Sequence, residues 1–169
     1  MINNWLKPKW DSNVSIQNIP IEYLLQNNIK LLLLDVDNTL LPRSEISLNQ
    51  SVYNWLIEAK KHIKLHLISN NPSRKRIGSI ARPLQISFTY LAGKPRRGKA
   101  LEAINKFNYK RSNIAIIGDR LFTDIYVGNR LGLYTILVKP INSDGTTDQK
   151  NYFQKIEKAL SKVLGANTK

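Results

Sequence analysis

Residues 31–40 read LLLLDVDNTL. Four apolar residues, Leu31 to Leu34, stand between polar neighbours. A run of this length suits a fully buried strand, although periodicity by itself does not separate it from a piece of helix. Two carboxylates follow at Asp35 and Asp37, with Asn38 and Thr39 beside them. Acids this close do not both stay ionised cheaply, so either one keeps its proton or a cation is shared. An isolated Asp-x-Asp is most often a solvated turn. Its place directly after a buried strand, with more acids downstream, turns the reading toward a site.

Working outward, strands and helices alternate. Residues 19–28 read as a short helix. Ser47 is placed to cap a helix running to about His62, in which Leu48, Val52, Trp55, Leu56 and Ala59 fall at helical spacing. Leu65 to Ile68 is a second strand, closed by the turn residues Ser69-Asn70-Asn71-Pro72. A basic helix over 73–82, a weak strand over 86–90 and a helix over 98–108 follow. Ile114 to Ile117 is a strand ending in Gly118-Asp119, and a short helix then runs from about Thr123 to Leu131, stopped by Gly132. Tyr134 to Val138 is the fifth strand. After a loop over 142–150, the last helix covers about Tyr152 to Leu164, with Phe153, Ile156, Leu160, Val163 and Leu164 on one side.

Short, uniformly apolar strands alternating with helices specify an α/β fold, a mostly parallel five-stranded sheet with helices on both faces. One domain over 19–165 is expected, preceded by an irregular segment over 1–18 that sets Trp5 and Trp10 among lysines. Ligands of such a sheet bind outside the carboxyl ends of its strands. Asp35 and Asp37, Ser69 and Asn70, and Asp119 and Asp124 all fall there. Oxygen-only ligands select a hard cation, and beside phosphate the natural one is Mg²⁺.

The composition bounds the function. The 169 residues include no cysteine, which excludes disulfides, thiolate metal sites and thiol nucleophiles. No apolar run approaches the ~20 residues a bilayer-spanning helix needs. The opening MINNWLKPKW has no apolar core of a secretory signal, so the expected compartment is the cytoplasm, or an organelle interior if a segment has been trimmed. The net charge is +14, and from Ala59 to Leu101 there are eleven Lys and Arg and no acid. Such a surface attracts polyanions: nucleic acid, anionic membrane or phosphorylated substrate. His66, inside a strand, reads as a packed or hydrogen-bonded histidine. Gly93-Lys94-Pro95-Arg96-Arg97-Gly98-Lys99 lacks the spacing of a nucleotide P-loop.

Taken together, these residues resemble a known family. Asp35-Val36-Asp37-Asn38-Thr39 is similar to the first motif of the haloacid dehalogenase-like (HAD) phosphatases. Ser69 resembles the second, Lys94 the third, and Gly118-Asp119-Arg120-Leu121-Phe122-Thr123-Asp124 the fourth. The likeness is nearest to the small YqeG-type branch, subclass IIIA, which is similar to the phosphatidylglycerophosphate phosphatases of mitochondria and plastids. It implies a single Rossmann-like domain and hydrolysis of a phosphomonoester through an aspartyl-phosphate.

By the resemblance, Asp35 is the nucleophile. Asp37 lends its backbone carbonyl to Mg²⁺ while its side chain acts as acid and then base. Asp119 is a direct metal ligand, and Asp124 is either a second ligand or the holder of one of the metal's waters. Ser69, Asn70 and Lys94 meet the phosphoryl oxygens. Thr39 and Thr123 brace the loops. Arg120 is either salt-paired or in touch with substrate.

The segments between motifs are too short for a large cap domain. An open site suits a substrate with bulk of its own. By the resemblance, with the charge and the tryptophans in support, the leading expectation is phosphatidylglycerophosphate, met by a cytoplasmic protein held peripherally at an anionic membrane. Trp5 and Trp10 serve there as interfacial anchors or else simply pack on the domain. The alternatives are the same chemistry on a soluble or protein-borne phosphate, and an RNA- or ribosome-associated basic module with a residual site.

Overall fold

The structure, a computed structural model, describes residues 2–147 and 152–163. Six parallel strands form one sheet: β1 (Trp10–Asp11), β2 (Leu31–Leu34), β3 (Lys64–Ile68), β4 (Ser87–Thr89), β5 (Ile114–Gly118) and β6 (Tyr134–Leu137). Their order across the sheet is β1-β6-β5-β2-β3-β4. The helices are α1 (Ile21–Gln26), α2 (Gln50–His62), α3 (Arg74–Ala81), α4 (Gly98–Asn105), α5 (Tyr126–Arg130) and α6 (Tyr152–Val163).

β2 lies in the middle because it can be buried on both faces. Leu32 and Leu34 join the core under α2 and α3, and Leu31 and Leu33 join the core under α4 and α5. It pairs with β3 on one side, Leu34 opposite Leu67, and with β5 on the other, Leu34 opposite Ile117. From β2 the chain winds one way through β3 and β4 and later the other way through β5 and β6. The strand order therefore reverses between β2 and β5, and a crevice opens at their carboxyl ends.

Three sequence expectations need correction. The sheet has six strands, since Trp10–Asp11 pairs with Ile136 and Leu137 at the far edge. A two-residue strand carries no periodicity that a sequence can show. The cap of α2 is Asn49, whose Oδ1 accepts from the Val52 N–H at 2.9 Å, so the helix starts later than a Ser47 cap would set it. The helix expected from Thr123 begins as a π-helical turn over Leu121–Ile125 and becomes α5 only at Tyr126. In α6, Ile156 and Leu160 face outward, while Gln154, Glu157 and Ser161 are buried. The side chains of Phe153 and Val163 lie outside those described. Leu164 lies outside the described residues.

Both N-terminal tryptophans pack on the domain. The Trp10 ring sits 4.2 Å from that of Tyr23, and Trp5 meets Tyr126 edge-on at 5.9 Å with the Arg130 guanidinium over it. His66 is a buried, hydrogen-bonded histidine, its ring nitrogens 2.8 and 2.9 Å from Ser87 Oγ and Thr89 Oγ1. Between β2 and α2, residues 35–49 form a loop with no helix or extended strand, so no cap domain rises there. Among the described residues no helix is long and apolar enough to cross a membrane.

Candidate active site

The acids collect at the strand ends. Asp35 continues β2 by one residue, its N–H still donating to Ile117 O at 2.9 Å. Asp119 follows the last residue of β5, and Asp124 comes back to it from the π-helical turn. All three are buried, and one carboxylate oxygen from each lies within 4.8 Å of the others. Residues 35 and 119 are distant in sequence, and the parallel pairing of β2 with β5 makes them neighbours.

Lys94 sits between the carboxylates. Its Nζ donates to Asp35 Oδ1 at 2.7 Å, to Asp124 Oδ1 at 2.5 Å and to Ile68 O at 2.9 Å, with the side chain only 1% exposed. Burial alone would depress this ammonium, but the charges of Asp124 and Asp35 outweigh it and hold the group above its usual value. Burial pushes the Asp35 carboxyl up to about 6, with Lys94 opposing and Asp124 adding. Asp119 is driven well above the ordinary carboxylate range, by burial and then by Asp35 and Asp124. Three acids face one ammonium, so full ionisation leaves two negative charges without a counterpart. A buried oxygen-only cluster with that imbalance fits a hard divalent cation.

The Thr39 hydroxyl lies 3.1 Å from Asp35 Oδ2 and 3.4 Å from Asp119 Oδ1. The Thr123 hydroxyl donates to Asp124 Oδ2 at 3.2 Å. Ser69 ends β3 buried beside the cleft, with its Oγ accepting from the Asn71 N–H at 3.0 Å. The Asn70 side chain makes a two-way bond with the backbone of Lys94, donating to its carbonyl and accepting from its N–H, both at 2.8 Å. Its amide thus fixes Lys94. The cleft above these groups measures about 120 Å³ and is lined by Asp35, Asp37, Ser69, Lys94, Arg120 and Asp124 among others.

The Asp37 side chain stands apart from the carboxylate trio. Arg76 donates to its Oδ1 from Nη2 at 3.0 Å and from Nε at 3.2 Å, and Asn71 donates to Oδ2 at 2.9 Å. Arg76 also bonds the carbonyls of Pro42 and Glu45, tying the loop after the first motif to α3. Arg120 is salt-paired, giving Glu157 Oε1 two bonds at 3.0 and 2.8 Å.

Sequence reasoning missed these supports. Arg76 looked like one more charge in a basic run, and Asn71 like one more turn residue. Gln154 and Glu157 come from the last helix: Gln154 donates to Asp119 O at 2.8 Å, and Glu157 Oε2 accepts from the Leu121 N–H at 2.9 Å. The available signal was that Gln154, Glu157 and Ser161 interrupt an otherwise apolar and basic helix.

Comparison with known proteins agrees with this geometry. A family model for HAD-hydrolase-like proteins matches residues 91–158. The chain is 37% identical over 153 residues to the "Probable phosphatase YqeG" of Bacillus subtilis, covering 89% of this chain and 87% of that protein. It is 38% identical over 61 residues to the yeast mitochondrial protein named phosphatidylglycerophosphatase GEP4, covering 36% of this chain and 31% of that one. In fold it is similar to the putative HAD-hydrolase YfnB of Bacillus subtilis, solved bound to magnesium, with a TM-score of 0.50, 14% identity, and coverage of 64% of this chain and 86% of that one. With motif acids meeting at the switch point and a relative matching nearly end to end, the chain belongs to the HAD-like hydrolases, among the phosphatases related to YqeG.

Proposed function

We propose that this phosphatase is Mg²⁺-dependent, works through an aspartyl-phosphate on Asp35, and takes phosphatidylglycerophosphate at a membrane surface, as a cytoplasmic protein held there peripherally. The observation that carries the chemistry is the buried trio of Asp35, Asp119 and Asp124 around Lys94. Asp35, Asp119, Asp124 and the backbone carbonyl of Asp37 would hold the ion. Bound there, Mg²⁺ supplies charge neutralisation for the nucleophile and the phosphoryl group.

The chain's own residues do the rest. An oxygen of Asp35 attacks phosphorus, a P–O bond to the alcohol breaks, and Asp37 gives its proton to the departing oxygen. Asp37 then takes a proton from water as that water attacks phosphorus. The acyl-phosphate P–O bond breaks, inorganic phosphate leaves and the Asp35 carboxylate is restored. Ser69 and Lys94 meet the phosphoryl oxygens, and Asn70 acts by holding the Lys94 backbone in place.

The lipid substrate is supported by the 61-residue likeness to the yeast protein, by the net charge of +14 and by an open cleft. A panel of phosphomonoesters tests it: phosphatidylglycerophosphate in vesicles, a soluble glycerophosphate, a phosphopeptide and p-nitrophenyl phosphate, each with Mg²⁺ or with EDTA. Turnover of the lipid above all others, lost with EDTA and in Asp35→Asn, is the expected result. Retained turnover in Asp35→Asn removes the nucleophile, and preference for a soluble ester removes the lipid.

A further inference from the structure

α6 is turned the unexpected way round. Among its described side chains the buried ones are Gln154, Glu157 and Ser161, while Ile156 is 55% exposed and Leu160 49% exposed. A helix on the surface of a globular domain normally buries its apolar stripe and shows its charges. The reason for the inversion lies in the site. Gln154 holds the carbonyls of Asp119 and Val138, and Glu157 holds Arg120 and the Leu121 N–H. Lys158 is tied to Asp11 at 2.9 Å. The polar face is committed to positioning the loop of the fourth motif, and the apolar face is left outside.

The outward face has a definite charge. Glu157 is the helix's sole acid and it points inward, whereas Lys155 and Lys162 are exposed beside Ile156 and Leu160. An exposed helical face that is apolar along its middle and whose charged margins, among the described residues of the helix, are lysines has the composition of a helix lying in the head-group layer of an anionic bilayer. A second copy of this chain is a poor occupant. A two-fold contact through the same patch would bring the lysines of one copy close to those of the other.

We propose that α6 is the surface by which the protein docks on anionic lipid. Ile156 and Leu160 enter the head-group layer, and Lys155 and Lys162 meet lipid phosphates. This deepens, and rests on, the reading of the substrate as a lipid phosphate. The helix that touches the membrane with one face grips the loop carrying Asp119 and Asp124 with the other, so docking brings the cleft to the head groups.

The test uses the full chain and sedimentation with vesicles of phosphatidylcholine alone or mixed with phosphatidylglycerol. Ile156→Gln/Leu160→Gln removes the apolar patch while keeping residues that favour helix. Lys155→Gln/Lys162→Gln removes the charge. Turnover of p-nitrophenyl phosphate in solution, unchanged in both variants, shows that the fold and site survive. The wild type is expected to bind the mixed vesicles and hardly the neutral ones. Each double variant is expected to bind the mixed vesicles about tenfold more weakly.

Equal vesicle binding by wild type and the apolar variant overturns the proposal. So does wild-type binding to neither vesicle. A dimer that dissolves in the apolar variant, without vesicle binding, assigns the face to a second copy instead. Docking through α6 with no phosphate released from any lipid leaves the docking surface standing and removes the lipid substrate. Release from the lipid at equal rates in wild type and both variants does the reverse.

Discussion

Arg76 holds one oxygen of Asp37 through two nitrogens, Nη2 at 3.0 Å and Nε at 3.2 Å, while Asn71 takes the other oxygen at 2.9 Å. The proposed acid–base carboxylate is thereby aimed from α3, an element that carries none of the family motifs. Arg76→Gln should slow first-turnover release of an alkyl leaving group by about 10²-fold, the scale on which a positioned general acid contributes. Release of p-nitrophenolate, which needs no proton in that step, should fall far less. Arg76→Lys should not rescue the alkyl ester, since an ammonium cannot supply the planar fork. Rapid-quench measurement on the two esters checks the prediction, and equal losses on both would place Arg76 outside proton transfer.

Lys94 and the two carboxylates it bonds are buried. Lys94→Met leaves Asp35 and Asp124 buried against each other with no opposing ammonium. Removing one partner of a buried ion pair costs about 3–5 kcal/mol. Loss of a donor facing a developing phosphoryl charge lowers kcat by about 10²–10³. Urea denaturation and steady-state turnover measure the two effects separately. A variant as stable as the wild type would show that the acids take up protons without strain.

The fold was largely legible because its signals are local. LLLL followed by Asp-x-Asp announces a strand and the place where it ends, and a parallel sheet then brings Asp119 to Asp35 without further information. The supports were not legible because they depend on which face a helix turns inward. Spacing shows that Ile156 and Leu160 share a side, and that Gln154, Glu157 and Ser161 share another. It does not show that the polar side is buried, because that outcome needs the carbonyl of Asp119 and the N–H of Leu121 waiting inside. Ser47 and Asn49 illustrate the same limit on a smaller scale. Both residue types cap helices, and only the folded backbone shows that Asn49 reaches Val52.

The carboxylate cluster should make the stability of the metal-free protein fall as the pH rises. Burial, opposed by Lys94 and reinforced by Asp124, lifts Asp35 from 3.8 to about 6. Between those values the folded protein holds a proton that the unfolded chain has released. The stabilisation is complete below the lower value and disappears as the pH passes the upper one. Asp119, displaced upward by burial and by Asp35 and Asp124, acts in the same direction. A divalent cation favours the ionised form, so the rise in Tm on adding Mg²⁺ should be several degrees larger at about pH 8 than at about pH 5. In Asp35→Asn the difference between the two pH values should shrink. Thermal melts with EDTA or Mg²⁺ decide this, and a Mg²⁺ effect independent of pH would contradict it.

Gly118 closes β5 under Asp124, and the space there belongs to that carboxylate. A Cβ at position 118 would lie 2.6 Å from Asp124 Cβ and 2.5 Å from its Oδ2, and would also meet its Cγ. Asp124 has little freedom to retreat, since Lys94, Thr123 and the Arg120 N–H already hold its oxygens. Gly118→Ala should therefore swing the carboxylate away from Asp35 and Asp119. The cost in stability is about 1–3 kcal/mol, as for other overpacked sites. Mg²⁺ affinity should drop about 10–100-fold, the range seen when the supports of a metal ligand are disturbed. Gly98→Ala is the matched control: no atom lies within 4 Å of a Cβ there, so both quantities should stay near the wild-type values. Calorimetric titration with Mg²⁺ together with urea denaturation of the two variants measures the contrast, and wild-type affinity in Gly118→Ala would show that Asp124 does not help hold the ion.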